Sequence, residues 1–259
     1  MLLALDVGNT NVTIGAFDGA RLAGRWRLST VHEQTADEWG ILMRNLFALS
    51  SLDLARVDGI VVASVVPPLD SALAQMARDY FGTAAMFVTS ETDTGLRIRY
   101  DNPREVGADR IVNALAAFHR YGGPVVVIDF GTATTYDVVS DKGEFLGGVI
   151  APGLQISNAA LSSSTARLPQ VELHAPKAVV GRNTVESIQS ALIYGTAAEV
   201  DGLVGRIREE LGAEAKVVAT GGLAPLIAPY CSSVDEHDEW LTLEGLRLVF
   251  ERNVGPTDD

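Results

Sequence analysis

The chain has 259 residues, 47% of them hydrophobic and 20% charged, a globular composition that supports one large α/β unit or two smaller ones with a full core. A formal charge of −13 with only three lysines excludes a surface built to displace counterions from a phosphate backbone, so nucleic acid is not an expected partner. The single cysteine, Cys231, excludes an internal disulfide, and neither it nor the four histidines fall at zinc-ligand spacing, which fits a reducing compartment.

The apolar opening Met1 to Leu5 lacks a basic leader and stops at Asp6, and no apolar run approaches a membrane span, so a cytoplasmic protein is expected. Periodicity predicts strands at Leu2 to Leu5, Val12 to Phe17 and Arg21 to Arg27, joined by short polar turns into an antiparallel meander. A helix from Thr35 to Leu49 follows, opened by the capping box Thr35-x-x-Glu38 and carrying Trp39, Leu42, Leu46 and Leu49 on one side. A buried strand at Gly59 to Ser64, a helix near Leu69 to Tyr80, a strand near Ala85 to Val88 and a helix from Glu105 to Arg120 complete the first half. Gly122 to Pro124 marks the expected boundary, giving halves 1–121 and 122–259.

Beyond it the pattern restarts, with Val125 to Ile128, Thr135 to Val139 and Phe145 to Ile150 forming a second meander. A long helical stretch from Val185 to Leu211, a strand at Lys216 to Ala219, a Gly221-Gly222 turn and a helix from Leu243 to Arg252 follow. The two meanders open alike: Leu-Ala-Leu-Asp6-Val-Gly8-Asn-Thr10 can be laid on Val-Val-Ile-Asp129-Phe-Gly131-Thr132-Ala-Thr134, an alignment expected to place Asp, Gly and a hydroxyl at equal offsets. A repeated supersecondary unit implies two related halves facing across a cleft.

Asp-x-Gly-x-Thr carries chemistry because glycine lets the backbone approach an anion, while N–H groups and hydroxyls face phosphate oxygens. A carboxylate beside those phosphates needs a cation such as hydrated Mg²⁺ between them, which makes Asp6 and Asp129 candidate metal-side residues. An ordinary Asx-rich turn explains either motif alone; their duplication does not fit that explanation. Neither a lysine P-loop nor a Gly-x-Gly-x-x-Gly turn is present.

Five strings in order, Asp6-Val-Gly-Asn-Thr-Asn11, Gly107-Ala-Asp-Arg110, Asp129-Phe-Gly-Thr-Ala-Thr134, Gly147-Gly-Val-Ile-Ala-Pro-Gly153 and Ala219-Thr-Gly-Gly222, resemble the type III pantothenate kinases. The resemblance covers nearly the whole chain and includes Tyr100-Asp-Asn-Pro just ahead of Gly107. It implies an α/β fold of two ribonuclease H-like halves with mixed sheets flanked by helices, of the actin-like ATPase superfamily. It implies transfer of phosphate from ATP to pantothenate, the first step of coenzyme A synthesis, with Mg²⁺ and a monovalent cation, K⁺ or NH₄⁺. By position, it assigns ATP phosphates to Asp6, Val7, Gly8, Asn9, Thr10, Asn11, Val12, Thr13, Gly131 and Thr132, and adenosine to the Thr220, Gly221 and Gly222 segment. Pantothenate falls to Tyr100, Gly107, Ala108, Asp109 and Arg110, with Asp109 as proton acceptor, Asp129 beside the monovalent cation and Asp6 beside Mg²⁺ through water.

The resemblance also implies a homodimer in which Thr184 of one chain completes the pocket of the other. The apolar stripe Ile188, Leu192, Leu203, Ile207 and Leu211 is equally read as intramolecular core, and Asn183-x-x-Glu186 as a capping box that leaves Thr184 a first-turn residue. Two other functions stay open at this point: a non-catalytic ATP-binding accessory protein in gene regulation, and a kinase of another small polar alcohol. On sequence alone Asp109 is equally a helix-dipole partner, Arg110 a solvated arginine, and Tyr100 half-buried strand packing.

Overall fold

A computed structural model describes residues 1–255; residues 256–259, the end of the expected second half, lie outside the described residues. The chain forms two compact units, one built from Met1–Ala116 with the C-terminal stretch from Leu241, the other from Ala117–Trp240. Among the described residues no helix is long and apolar enough to cross a membrane.

In the first unit β1 (Leu2–Val7), β2 (Asn11–Asp18) and β3 (Arg21–Ser29) form the antiparallel meander, and β4 (Gly59–Ser64) and β5 (Ala85–Phe87) extend it in parallel, in the order β3-β2-β1-β4-β5. Alternation sends Leu3, Leu5, Val7, Ile14, Ile60 and Val62 to one face, where they bury Trp39, Met43 and Phe47 of α1 (Ala36–Leu49) and Leu69, Leu73 and Met76 of α2 (Pro67–Phe81). Thr35 caps α1 with the reciprocal Glu38 box, as its sequence dictates. Leu49, expected on the packed side, is instead 84% exposed, because the inward row runs Trp39, Met43, Phe47, and Leu49, two residues on, lies about 200° round the helix from its last member.

A short strand, β6 (Arg97–Ile98), and a 3₁₀ turn at Pro103–Glu105 precede α3 (Ala108–Tyr121). The boundary between the units falls within α3, between Ala116 and Ala117, a few residues before the Gly122 to Pro124 break that the glycines suggest.

The second unit repeats the meander with β7 (Val125–Phe130), β8 (Ala133–Val139) and β9 (Glu144–Pro152), while β10 (Lys216–Thr220) pairs in parallel with β7 and β11 (Glu236–His237) with β10. Val126, Ile128, Phe130, Tyr136, Val217 and Ala219 bury the inner face against the helical arm. That arm begins with α4 (Leu154–Ser163), which periodicity does not reveal because its N-cap is Gly153, with no capping side chain, and its apolar residues do not form a clear stripe. It continues through α5 (Thr184–Ser190), a π-helical turn at Ala191–Gly195 and α6 (Thr196–Leu211), one helical run as the sequence predicts. After β10, α7 (Ala224–Ile227) is a single turn, and from Trp240 the chain leaves the unit.

The last helix, α8 (Leu241–Val254), belongs to the first unit, where it packs on β1, β2 and β4, rather than to the second as the simple division at 121/122 places it. Its Phe250 ring lies over Gly59, where an added Cβ would come within 2.4 Å of the ring. The inward-facing apolar positions of β1 and β4 account for one face of this sheet, and α8 covers the other, which is why both strands read as unbroken apolar runs.

Candidate nucleotide and substrate site

Each meander opens with a hairpin that ends its first strand on an aspartate. In the first, Asp6 pairs in register with Thr13 and Val7 with Val12, leaving Gly8, Asn9, Thr10 and Asn11 as the turn. Gly8 N–H donates to the Asn11 carbonyl at 3.0 Å, and an added Cβ on Gly8 would meet that carbonyl at 3.1 Å. Asn9, Thr10 and Asn11 are exposed, and Asp6 and Thr13 are half-buried at its base. The turn is anchored from β3: Thr30 Oγ1 donates to the Gly8 carbonyl at 2.6 Å and Thr30 N–H to the Thr10 carbonyl at 3.0 Å. Thr30 carries no motif, and only the β2–β3 register brings it there.

In the second hairpin Asp129 pairs with Thr135 and Phe130 with Thr134, so the turn is Gly131, Thr132 and Ala133, one residue shorter than the first. Aspartate and glycine therefore repeat at equal offsets while the hydroxyls do not, and Gly131 N–H donates to Ala133 O at 3.0 Å where Gly8 reaches one residue further. Thr135 Oγ1 donates to Asp137 at 3.2 Å; this carboxylate is fully buried and has no part in the sequence motifs.

Two glycines outside the hairpin shape it. Gly221 has φ +91°, which disfavours any side chain, and a Cβ there would come 2.3 Å from Asp129 Oδ1 and 2.7 Å from Phe130 N. β10 is thus turned directly onto the Asp129 carboxylate, and Gly222 stands exposed beyond it. Gly153, at the head of α4, would place a Cβ 2.1 Å from the Thr132 carbonyl oxygen. The Gly147 to Gly153 string thus ends in a glycine that supports the hairpin from below.

In the first unit Gly107 and Ala108 open α3, with Asp109 in its first turn. A Cβ on Gly107 would lie 2.4 Å from Asp109 Oδ1, so the glycine makes room for the carboxylate to fold back over the helix start. The Arg110 backbone N–H donates to that same oxygen at 2.9 Å. Burial raises the Asp109 pKa above the ordinary carboxylate value, against the opposing pull of that N–H and of the Arg110 charge. Arg110 itself is buried, 6% exposed, which rules out the solvated arginine considered above. Tyr100 is half-buried, preceding the 3₁₀ turn.

Thr184 begins α5 and is exposed, and Asn183 caps that helix through Glu186 N at 2.9 Å. The stripe behind it faces inward: Ile188 and Leu192 pack on Val171, and Leu203, Ile207 and Leu211 pack on the main core of this unit. That stripe is therefore core rather than a free face, and the exposed apolar residues nearby are Val179, Val180 and Val185. Among the described residues no group of three or more His, Cys, Asp or Glu gathers as a metal-binding cluster.

Two units, each led by a β-meander whose first turn carries Asp-x-Gly, make up a mixed-sheet α/β fold of the actin-like ATPase class. The activator of the 2-hydroxyisocaproyl-CoA dehydratase from Clostridium difficile, with bound ADPNP, shares this fold at a TM-score of 0.55 and 12% identity, over 100% of this chain and 98% of that one. Component A of the Acidaminococcus fermentans (R)-2-hydroxyglutaryl-CoA dehydratase does so at 0.55 and 13%, over 96% and 95%.

Residues 2–206 match the family described as type III pantothenate kinase. A type III pantothenate kinase of Solibacter usitatus (strain Ellin6076) is 58% identical over 98% of this chain and 97% of its own, and that of Moorella thermoacetica (strain ATCC 39073 / JCM 9320) is 49% identical over 98% and 100%. The chain belongs to the type III pantothenate kinase family.

Proposed function

We infer that this chain transfers the γ-phosphate of ATP to pantothenate, forming 4′-phosphopantothenate at the entry to coenzyme A synthesis. The observation that carries the reading is membership of the family, whose model matches residues 2–206 and of which a relative is 58% identical over 98% of this chain. Incubation with ATP and pantothenate, followed by mass spectrometry, is expected to show the phosphorylated product. Turnover of a different small alcohol with none of that product would remove the substrate and leave the kinase.

The Asp6 to Thr13 hairpin and the Gly131 and Thr132 turn are assigned to the phosphates, and Thr220 to Gly222 to adenosine. Backbone N–H groups and threonine hydroxyls of these turns supply donors to phosphate oxygens. Tyr100, with the Gly107 to Arg110 turn, receives pantothenate. Asp109 accepts or orients the hydroxyl proton; burial raises its pKa, and the positive charge of Arg110 opposes that rise.

The residues present suit two cations. Asp129 is crowded by the bare backbone of Gly221 and so offers its carboxylate from a fixed position, as a weakly hydrated monovalent ion requires. Asp6 is a single half-buried carboxylate beside a phosphate turn, the arrangement of a magnesium ion that keeps most of its waters. When bound, these ions offset the charge of the triphosphate, a task no P-loop lysine performs here. Activity is expected to require K⁺ or NH₄⁺, and Asp129→Ala to abolish that response; full activity of the native chain in Na⁺ or Tris buffer alone would refute the assignment.

We further propose a homodimer in which exposed Thr184 completes the partner's pantothenate pocket. Mixed dimers test it: Asp109→Asn and Thr184→Tyr chains, each inactive alone, are co-refolded. Random pairing makes about half the dimers mixed with one intact site in each, so activity should recover to roughly a quarter of the native value. No recovery in verified heterodimers, or a monomer by light scattering, would end the proposal.

A further inference from the structure

In the second unit three neighbouring strands, β7, β10 and β11, run parallel and finish level. Asp129 pairs with Thr220, and Ala219 with His237, so Asp238 follows at the height of Thr220. The C-terminal ends of parallel strands are where such sheets hold ligands. Asp129 and Thr220 already belong to the site; Asp238 has been given no part in it.

Asp238 is tied on three sides. Its N–H donates to the Ala219 carbonyl at 2.9 Å, its Oδ1 accepts from Trp240 N–H at 3.2 Å, and its Oδ2 accepts from the guanidinium of Arg120, in the last turn of α3. The Asp238 side chain is only 9% exposed, whereas that of Arg120 is 54% exposed. A carboxylate so buried needs its counter-charge, since an unpaired ion there would be strongly unfavourable. Arg120 thus supplies the counter-charge that fixes Asp238 in place, and Asp238 holds the end of β10 through Ala219.

On its other side the turn after β10 is fastened to β7, with Leu223 N–H donating to the Phe130 carbonyl at 3.2 Å, and it closes on itself through Ala224 N–H to Gly221 O at 3.1 Å. Thr220 to Gly222 therefore hangs between two supports, one at Phe130 and one at Asp238.

We propose that Asp238, charge-paired with Arg120, is a positioning residue for the nucleotide, setting the height at which the Thr220 to Gly222 turn meets adenosine. This rests on the assignment of that turn to adenosine. A purely structural ion pair would lower stability and affect both substrates alike; a positioning pair acts on ATP.

Asp238→Asn and Arg120→Gln in the full chain test the difference. Both are expected to raise KM for ATP about tenfold, the scale of a small displacement of a substrate-holding turn, while KM for pantothenate stays within about twofold. The midpoint of an ADP titration followed by calorimetry should move to correspondingly higher ADP, and Arg120→Lys should restore much of the loss because the single charged contact survives. Arg120→Gln alters a half-exposed side chain, so it reports even if Asp238→Asn does not fold. An unchanged KM for ATP in the variants that fold, or equal losses toward both substrates together with a lowered Tm, overturns the proposal. Gly221→Ala separates the two levels. If it raises KM for ATP while Asp238→Asn and Arg120→Gln do not, the positioning role alone fails. If it leaves KM for ATP unchanged, the adenosine assignment and the proposal fall together.

Discussion

Asp109→Asn is expected to lower kcat by about 10²- to 10⁴-fold, the usual worth of a positioned proton acceptor, with KM for ATP nearly unchanged. Phosphoryl transfer with a loose transition state releases the acceptor proton late, so part of that factor reflects orientation of the hydroxyl rather than its deprotonation. Activity within about threefold of the native chain would exclude both roles. The same substitution should act on stability in the opposite direction. Burial raises the Asp109 pKa in the folded chain, so the folded state keeps its proton to higher pH than the unfolded state does. Stability contributed by this group is then full below the unfolded value of about 3.9 and falls as pH rises toward the raised folded value. Asparagine does not ionise and escapes that loss. Melting curves should show the variant more stable than the native chain at neutral pH, with the advantage vanishing near pH 4. The acid limb of kcat/KM for pantothenate should likewise lie above the ordinary carboxylate range, because only the ionised group accepts a proton. A native acid limb at the ordinary value would mean that ligands reverse the effect of burial.

Much of this architecture could be read from the chain itself. β1, β4 and β7 announce themselves as apolar runs because each is covered on both faces or at the centre of its sheet, and the Thr35 capping box marks the start of α1. What escaped depends on long-range packing. Helix α4 starts from an uncapped glycine and shows no stripe, so nothing local distinguishes it from loop. Helix α8 lies on β1, and its membership of the first unit follows from the complementarity of two apolar faces distant in sequence. The stripe on α5 and α6 illustrates the converse: spacing identifies an apolar side, but only packing shows that Val171 and the β7 and β10 core already cover it. In the site, the motif glycines were legible as glycines. Which of them face protein and which face open space was not.

That distinction gives the second large effect. Gly131 and Gly153 both belong to the motif strings, yet the structure separates them. Neither has a positive φ, so an alanine at either position meets no backbone strain, and any effect must come from what its methyl group touches. At Gly131 that methyl would find its nearest protein atoms at 3.4 and 3.5 Å, the Ala133 carbonyl oxygen and Asp129 Oδ1, ordinary van der Waals distances. At Gly153 it would lie 2.1 Å from the Thr132 carbonyl and 2.8 Å from that of Gly131, and backbone must move to admit it. Gly153→Ala should therefore cost about 1–3 kcal/mol of stability, the range for overpacking, and lower Tm by roughly 2–10 °C. It should impair ATP use as well, by displacing the hairpin above it. Gly131→Ala should melt with the native chain yet raise KM for ATP at least about tenfold, because the space its methyl enters is assigned to a phosphate oxygen. Differential scanning calorimetry and initial rates at varied ATP check both. If Gly131→Ala keeps its affinity for ATP, the phosphates do not approach this turn, and the second hairpin is only a turn.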